Sequence, residues 1–323
     1  MSLPVVKITN PTPHSPHTPP TLTSHIHPGL IAGHEPSGII VDAHESGMKR
    51  FKTGDRVVVY HVSGCGICND CRRGIMNSCT SPSRKAYGWQ RHGGMAPFMA
   101  VEEKDLLHLP DQLSFIDGAI VACSMGTVYE ALCKISISGN DQVLVVGLGP
   151  VGMAAAMLAK ALGASSVVGV DTDESRCLLG AKHCSTALQI FPGGPEGSSL
   201  RAVVERSDGL KGFEKVIDCS GSASGRALGI AATRKFGSMV LVGEGGPMTM
   251  SDVSNQLIHD QKTLVGSWVS STWRMEELLE RLVRWGIHPE DLVTHRYPLS
   301  DVSSAYRTMA DGKCGKVAVV FDE

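Results

Sequence analysis

This 323-residue chain has almost no net charge and few aromatic residues: 30 lysines and arginines against 32 aspartates and glutamates leave −2, and aromatics make up 5%. No run of like charges could form a nucleic-acid footprint or a membrane patch, so neither partner is expected. The longest apolar stretch, residues 143–159, is broken by three glycines and Pro150 and ends at Lys160. A membrane-spanning helix is therefore not expected either.

Cysteine is missing from the first 64 residues, whereas four of the ten cysteines fall between Cys65 and Cys79. The N-terminal sequence, Met-Ser-Leu-Pro-Val-Val-Lys, has neither the charged region nor the apolar core of a secretory leader. Clustered cysteines in such a chain indicate metal ligands rather than a disulfide framework. A reducing, cytoplasmic location is the expectation.

Proline is unevenly distributed, and the first 36 residues hold eight of the 17 prolines. Because each proline removes a backbone donor and fixes φ, residues 1–28 are predicted to be mostly irregular. Residues 39–122 show short β-rich pieces between Gly, Asp and Pro, which predicts a compact β domain. Beyond Cys123, short apolar runs alternate with helical patterns, which predicts an α/β fold with a doubly wound parallel sheet.

A glycine-rich turn follows the apolar run 143–146 and opens an alanine-rich helix, in the pattern G-x-G-x-x-G. In such a turn the first glycine permits the tight bend, the second lets backbone approach a pyrophosphate, and the third lets the helix pack on the sheet. The candidate cofactor-binding residues of the turn are Gly147, Gly149, Pro150, Val151 and Gly152. The alternative is a tight strand-to-helix turn that binds nothing.

Asp171 ends the next apolar run, 19 residues past Gly152. A carboxylate at this place can accept both ribose hydroxyls of a dinucleotide. It would also repel a 2′-phosphate, which favours NAD over NADP. Arg176, five residues further on, leaves the use of both coenzymes open. The alternative role of Asp171 is to cap the helix that follows.

Cys65, Cys68, Cys71 and Cys79 have the spacing C-x2-C-x2-C-x7-C within one loop. Four thiolates from one loop can close a tetrahedron around Zn²⁺, and a site without an open position is structural. An iron–sulfur cluster is the competing interpretation, because C-x2-C-x2-C also occurs in ferredoxins. Zinc is favoured because no second cysteine run accompanies the β domain.

Gly33-His34-Glu35, the four-cysteine loop and the glycine-rich turn, in this order, resemble the zinc-dependent medium-chain alcohol and polyol dehydrogenases over most of the chain. The resemblance implies a GroES-like catalytic domain at residues 1–124 and a Rossmann NAD-binding domain at residues 125–268. Residues 269–323 would return to the catalytic domain, and residues 64–80 would form a structural zinc lobe. It also implies a homo-oligomer, either a dimer or a tetramer, that acts on a small alcohol.

The same resemblance places a catalytic zinc on His34, with Glu35 beside it as a transient or indirect ligand, and on Cys123. Thr127 matches a position that contacts the nicotinamide, and Lys316 a basic position that meets the pyrophosphate. Taken alone, His34 could be a turn histidine and Cys123 a small buried hydrophobe. A zinc with an open position would let a substrate hydroxyl lose its proton near neutral pH, with hydride passing to the nicotinamide.

Two further sets of residues are expected to matter less. Three aromatic side chains match positions that often line the substrate cleft, with core or rim packing as the alternative: Trp89, His92 and Trp268. The remaining cysteines are predicted to be ordinary buried or half-buried thiols: Cys133, Cys177, Cys184, Cys219 and Cys314.

The chain departs from the family pattern at residues 9–14, where another zinc-ligating cysteine is expected but the sequence reads Thr-Asn-Pro-Thr-Pro-His. Three interpretations stay open: a truncated or mis-spliced product, loss of catalysis, or recruitment of one of four histidines, His14, His17, His25 and His27. The predicted function is a zinc-dependent oxidoreductase that moves hydride between a secondary alcohol or polyol and NAD. The alternative is a catalytically impaired relative that still binds NAD and zinc.

Overall fold

The computed structural model describes residues 5–8, 29–43, 50–190 and 198–321. They belong to two compact units: unit 1 takes residues 1–126, 269–312 and 316–323, and unit 2 takes residues 127–268 and 313–315. The main boundaries thus lie at 126/127 and 268/269, beside the 124/125 and 268/269 predicted from the sequence. Unit 1 and unit 2 each contain a hydrophobic core of their own.

Unit 1 contains an antiparallel sheet whose strands pair in the order β6-β1-β2-β3-β7, and a separate pair, β4-β5. These strands are β1 (Val5–Ile8), β2 (Ser37–Asp42), β3 (Arg56–Val59), β4 (Val62–Ser63), β5 (Lys85–Ala86), β6 (Phe98–Ala100) and β7 (Leu106–His108). Ile40, Val57 and Leu106 are fully buried in its core. This antiparallel sheet is the predicted β domain.

Strand β1 is an exception within residues 1–28, which are predicted to be mostly irregular. It pairs antiparallel with both β2 and β6, and the side chains of Val6 and Ile8 are buried in the sheet core. Val-Val-Lys-Ile follows Pro4, so every one of its residues keeps the backbone donor that pairing with β2 and β6 requires, and β-branched residues suit a half-buried strand. The other residues of this segment, including all four histidines named above, lie outside the described residues.

The chain between the two sheets is helical. It forms α2 (Phe115–Ile120), a π-helical turn (Val121–Met125) and α3 (Gly126–Lys134), whereas the short helix α1 (Asn69–Arg72) lies earlier in the chain, between β4 and β5. Helix α2 begins with a reciprocal cap: the Ser114 hydroxyl accepts the Asp117 N–H at 3.0 Å, and the Asp117 carboxylate accepts the Ser114 N–H at 2.9 Å. This cap sets where α2 starts and therefore where the π-helical turn falls.

Unit 2 is built on a parallel sheet with the strand order β10-β9-β8-β11-β12-β13. Its strands are β8 (Gln142–Val146), β9 (Ser166–Asp171), β10 (Thr186–Gln189), β11 (Phe213–Asp218), β12 (Thr233–Leu241) and β13 (Thr263–Gly266). Its helices include α4 (Pro150–Ala161), α5 (Glu174–Gly180), α6 (Ser198–Val204) and α7 (Ala223–Ala232). The central strand β8 is buried along its length, as expected for a parallel strand covered on both faces. The strand order reverses between β8 and β11, which is where open parallel sheets bind ligands. The predicted doubly wound α/β fold is confirmed.

The C-terminal part of the chain contributes mainly to unit 1. It forms α8 (Thr272–Trp285), β14 (Val293–Pro298), α9 (Val302–Asp311) and β15 (Lys316–Val320), and β14 pairs parallel with β15. Shorter 3₁₀ or π-helical turns lie at Met76–Ser78, Glu103–Asp105, Asp208–Leu210, Ser254–Ile258, Pro289–Leu292 and Leu299–Asp301.

One stretch of the described residues, Phe115–Lys134, is long and apolar enough by length and composition to cross a membrane. However, 78% of its apolar window is buried inside the protein. Core helices of globular proteins meet the same criterion, so the stretch is weak evidence for a membrane span.

Candidate metal and coenzyme sites

His34 and Glu35 lie just before strand β2, on a loop whose conformation depends on glycine. Gly33 has φ +92°, and a Cβ there would stand 2.9 Å from the Met95 side chain and 3.0 Å from its backbone nitrogen. The loop is bonded to its neighbour, because the Gly94 N–H donates to the Gly33 carbonyl at 2.8 Å. His34 and Glu35 are consequently held in the interior, 6% and 2% exposed.

Cys123 lies in the π-helical turn between α2 and α3 and is half-buried. Such turns inside longer helices are frequent at functional sites. One donor atom from each of His34, Glu35 and Cys123 lies within 4.8 Å of the other two. Imidazole, carboxylate and thiolate are all zinc donors. Three donors from two distant parts of the sequence of unit 1, the adjacent pair His34 and Glu35 and the thiol of Cys123, could therefore share one metal ion.

Glu35 has protein partners at both carboxylate oxygens. Its Oε1 accepts the Ser124 N–H at 3.2 Å, and its Oε2 forms a close ion pair with the Lys316 ammonium. Lys316 is itself buried, so each charge compensates the other in the interior. In the structure, the Lys316 ammonium lies beside Glu35. The role of Lys316 at the coenzyme pyrophosphate stays a prediction.

His61 is a buried histidine beside these donors, and no sequence motif points to it. Its Nδ1 lies 3.1 Å from the Ala122 carbonyl, the residue before Cys123. Burial lowers the pKa of His61 to about 4, so the ring is neutral near pH 7. Because a carbonyl only accepts, Nδ1 carries the proton. The signal that could have found His61 is its place between a buried strand and the cysteine loop.

The cysteine lobe, residues 64–80, brings four sulfurs together in unit 1. The Sγ atoms of Cys65, Cys68, Cys71 and Cys79 all lie within 4.8 Å of one another, and those of Cys65 and Cys71 are 3.9 Å apart. Zn–S bonds of about 2.3 Å in a tetrahedron place sulfurs about 3.8 Å apart. The arrangement fits a single ion better than a cluster, whose cysteines bind separate irons.

Backbone donors lower the pKa of a thiol in this lobe, whereas burial raises it. N–H groups of Ile67 and Cys68 lower the pKa of Cys65 to about 6, since they favour its thiolate. Burial raises the pKa of Cys71 to about 12. A cation bound between the sulfurs would favour the thiolate of both.

The three glycines of the glycine-rich turn in unit 2 differ in how much space a side chain would have. Gly147 has φ +92°, and a Cβ there would lie 2.8 Å from the Ser220 nitrogen. A Cβ at Gly152 would lie 1.7 Å from the Gly147 carbonyl oxygen, which shows how closely α4 packs on the turn. At Gly149 a Cβ would meet nothing within 4 Å. None of the described residues requires glycine at 149, so the open space beside it suits a ligand at the N-terminus of α4.

Asp171 is buried at the end of β9. Its Oδ2 accepts the Leu148 N–H at 2.7 Å and its Oδ1 accepts the Asp173 N–H at 3.0 Å. The Arg176 Nη1 lies 3.8 Å from Oδ2. The side chain that caps α5 is Asp173 and not Asp171, so Asp171 is tied to the glycine-rich turn itself.

Thr127 is half-buried in the first turn of α3, and its contact with the nicotinamide stays a prediction. Pro150 and Val151 occupy the first turn of α4, directly after Gly149. Trp89 is stacked on His34 with ring centroids 4.6 Å apart, whereas the exposed His92 accepts the Ile31 N–H through Nδ1 at 3.1 Å. Trp89 is therefore next to a candidate ligand, and His92 supports the loop.

The chain is similar to known dehydrogenases. Residues 13–111 match the alcohol dehydrogenase GroES-like domain, and residues 150–284 match the zinc-binding dehydrogenase family. YphC of Escherichia coli, an uncharacterized zinc-type alcohol dehydrogenase-like protein, is 45% identical over 298 residues, which are 92% of this chain and 83% of that protein. A sorbitol dehydrogenase of Halalkalibacterium halodurans is 32% identical over 292 residues, 89% of this chain and 82% of that protein.

The fold is also found in solved structures. An alcohol dehydrogenase from Thermotoga maritima superposes with a TM-score of 0.86 at 23% identity, over 99% of this chain and 92% of that one. At this identity the likeness supports the fold alone, while the relatives above carry the family. The chain therefore belongs to the zinc-dependent medium-chain alcohol dehydrogenases, oxidoreductase enzymes that use zinc and a nicotinamide coenzyme.

Proposed function

We propose that this chain oxidises a secondary alcohol or polyol, with NAD as the hydride acceptor and a catalytic zinc held by His34, Glu35 and Cys123. The observation that carries the proposal is the convergence of these three donors within 4.8 Å in the interior of unit 1. A sorbitol dehydrogenase among the relatives supports the polyol class. The second zinc would be structural and would sit in the cysteine lobe.

The donor set fits a zinc ion because it offers one neutral imidazole, one thiolate and one carboxylate. Zinc bound there would lower the pKa of an alcohol hydroxyl, and the nicotinamide would accept the hydride. Burial of His34 and Glu35 keeps bulk water away from the donors. Lys316 holds the Glu35 carboxylate by an ion pair, so Glu35 would bind a metal only as that pair loosens, which suits a transient ligand.

The coenzyme preference for NAD rests on Asp171 and on the turn beside it. The Leu148 and Asp173 N–H groups hold the Asp171 carboxylate at the carboxyl end of β9, where it would accept ribose hydroxyls and repel a 2′-phosphate. Arg176 is the nearby cation that would soften this repulsion. Gly147, Gly149, Pro150, Val151 and Gly152 would bind the pyrophosphate, with Thr127 and Lys316 as further coenzyme contacts.

We further propose a cytoplasmic homo-oligomer. Thiols gathered as metal donors suit a reducing compartment. Strand β13 forms the edge of the parallel sheet and exposes Leu264. An edge strand carries unpaired backbone groups that can pair with a second copy.

The test combines metal content with turnover. Purified chain should hold about two zinc ions and reduce NAD with some member of a panel of secondary alcohols and polyols that includes sorbitol. Cys123→Ser should remove one zinc and lower kcat more than about 100-fold. Cys79→Ser, the matched thiol variant, should remove the other zinc while the His34 site keeps its metal.

Two results would contradict the proposal. One is a fully zinc-loaded protein that stays inactive across the whole panel. The other is a single zinc that is lost in Cys79→Ser and unaffected by Cys123→Ser, which would point to the catalytically impaired relative.

A further inference from the structure

Three rings form a cluster in unit 1, namely His34, His61 and Trp89. The Trp89 indole is stacked on the His34 imidazole, with centroids 4.6 Å apart and planes 29° apart. The His61 ring meets His34 edge-on at 4.9 Å and 78°. His61 and Trp89 themselves are 5.8 Å apart. The imidazole of His34 is therefore contacted by two other rings.

Backbone hydrogen bonds fix the segments that carry His61 and Trp89, the two rings that contact His34. The Tyr87 N–H donates to the His61 carbonyl at 2.9 Å, and β4 pairs with β5 directly beside it. The loop that carries Trp89 is also bonded to the His34 loop through Gly94 and Gly33. His61 is anchored in addition by its hydrogen bond to Ala122 O, next to Cys123. The cluster thus contacts His34 directly and reaches the backbone beside Cys123 through His61.

We propose that Trp89 and His61 are positioning residues that clamp the His34 ring in its metal-binding orientation and strengthen metal binding there. The inference rests on the proposed metal role of His34. An imidazole that donates to a cation becomes electron-poor, and the electron-rich face of a tryptophan attracts such a ring more than a neutral one. The edge contact of His61 limits rotation of the same ring from a second direction. Groups outside the ligand set commonly tune metal affinity in this way.

The clamp predicts a loss of metal affinity at one site only. Zn²⁺ is titrated against a chromophoric chelator, with the cysteine lobe as an internal reference in the same molecule. Trp89→Leu should lower the affinity of the His34 site about fivefold to tenfold. Trp89→Phe, which keeps a stacked ring, should recover most of that loss. The cysteine lobe should bind as in the parent protein.

Trp285→Leu is the matched control, because Trp285 is another half-buried tryptophan of unit 1, at the end of α8. It should leave both affinities unchanged. His61→Phe keeps a ring but loses the hydrogen bond to Ala122 O, and it should weaken the His34 site alone. Binding of Zn²⁺ at that site should also change the tryptophan emission of the parent protein, and this change should vanish in Trp89→Phe.

Equal affinity in Trp89→Leu and the parent protein would overturn the clamp. So would a parallel loss at both metal sites, which would mark a general loss of structure, or an emission change that persists without Trp89. If the parent protein binds metal only at the cysteine lobe, the proposed function fails together with the clamp. If it binds two zinc ions, loses one in Cys123→Ser and is unaffected by Trp89→Leu, the clamp alone fails.

Discussion

At the scale of single residues, Asp105 is a carboxylate buried away from the candidate zinc ligands. Its Oδ2 accepts the Tyr87 hydroxyl at 3.0 Å and lies 3.8 Å from the Lys104 ammonium. Burial raises the pKa of Asp105 from 3.8 to about 6. Because the folded chain binds this proton more tightly, the stability that protonation provides is complete below about pH 4 and is lost as the pH rises through 6.

Replacing Asp105 should therefore flatten the pH dependence of stability. Between about pH 3 and 7, the free energy of unfolding of the parent protein should fall relative to Asp105→Asn by about 3 kcal/mol. Urea titrations at several pH values measure this difference, in which the other titrating groups cancel. The control is Asp111→Asn, at a side chain that is 94% exposed. Equal pH slopes for Asp105→Asn and the parent protein would contradict the assignment.

Backbone conformation allows a second prediction at this scale. Ser136 is exposed just after α3 with φ +53°, and its N–H donates to the Cys133 carbonyl at 3.2 Å. Non-glycine residues pay about 1 kcal/mol for left-handed backbone. Ser136→Gly should raise the free energy of unfolding by about that amount, measured by urea titration.

The reverse change is its matched control. Gly286 caps α8 with φ +63°, and a Cβ there would meet nothing within 4 Å. Gly286→Ala should consequently lose about 1 kcal/mol through backbone strain alone. A destabilised Ser136→Gly would show that side-chain contacts outweigh strain at that position.

At the scale of elements, the turn between β8 and α4 contains one glycine that packing requires and another that is expected to serve ligand binding. A Cβ at Gly152 would collide with the Gly147 carbonyl oxygen, whereas a Cβ at Gly149 would enter open space. Gly152→Ala should therefore lower the thermal midpoint by several degrees. Gly149→Ala should keep the thermal midpoint and weaken NAD binding at least tenfold, measured by titration calorimetry. Unchanged NAD affinity in Gly149→Ala would contradict the proposal that the pyrophosphate binds at this turn.

The same elements indicate how far the sequence could lead. The four cysteines fall within 15 residues and the three glycines within six, so local chain geometry suffices to bring each set together. Strand β1 was missed because its stability comes from pairing with β2 and β6, far along the chain. The proline-rich composition of the first 36 residues comes from the residues around β1, and β1 itself contains no proline.

At the scale of the whole molecule, the edge strand β13 leads to a prediction about assembly. Leu264 is exposed on this strand, and a charge at an edge opposes pairing with another sheet. Light scattering after gel filtration should find a dimer or tetramer for the parent protein and a shift towards monomer for Leu264→Lys. Leu178→Lys adds the same charge at an exposed leucine of α5 and should assemble like the parent protein. Identical masses for Leu264→Lys and the parent protein would place the interface elsewhere.

The sequence by itself determined the fold class, the glycine-rich turn and the cysteine lobe, because each of these depends on residues a few positions apart and on short-range sterics. It also named His34 and Cys123, but through resemblance rather than geometry. Only the tertiary structure decided that these donors, 89 residues apart, share one small space, that Lys316 pairs with Glu35, and that Trp89 and His61 enclose His34. Sheet pairing and burial create such contacts between distant segments, and no local pattern records them.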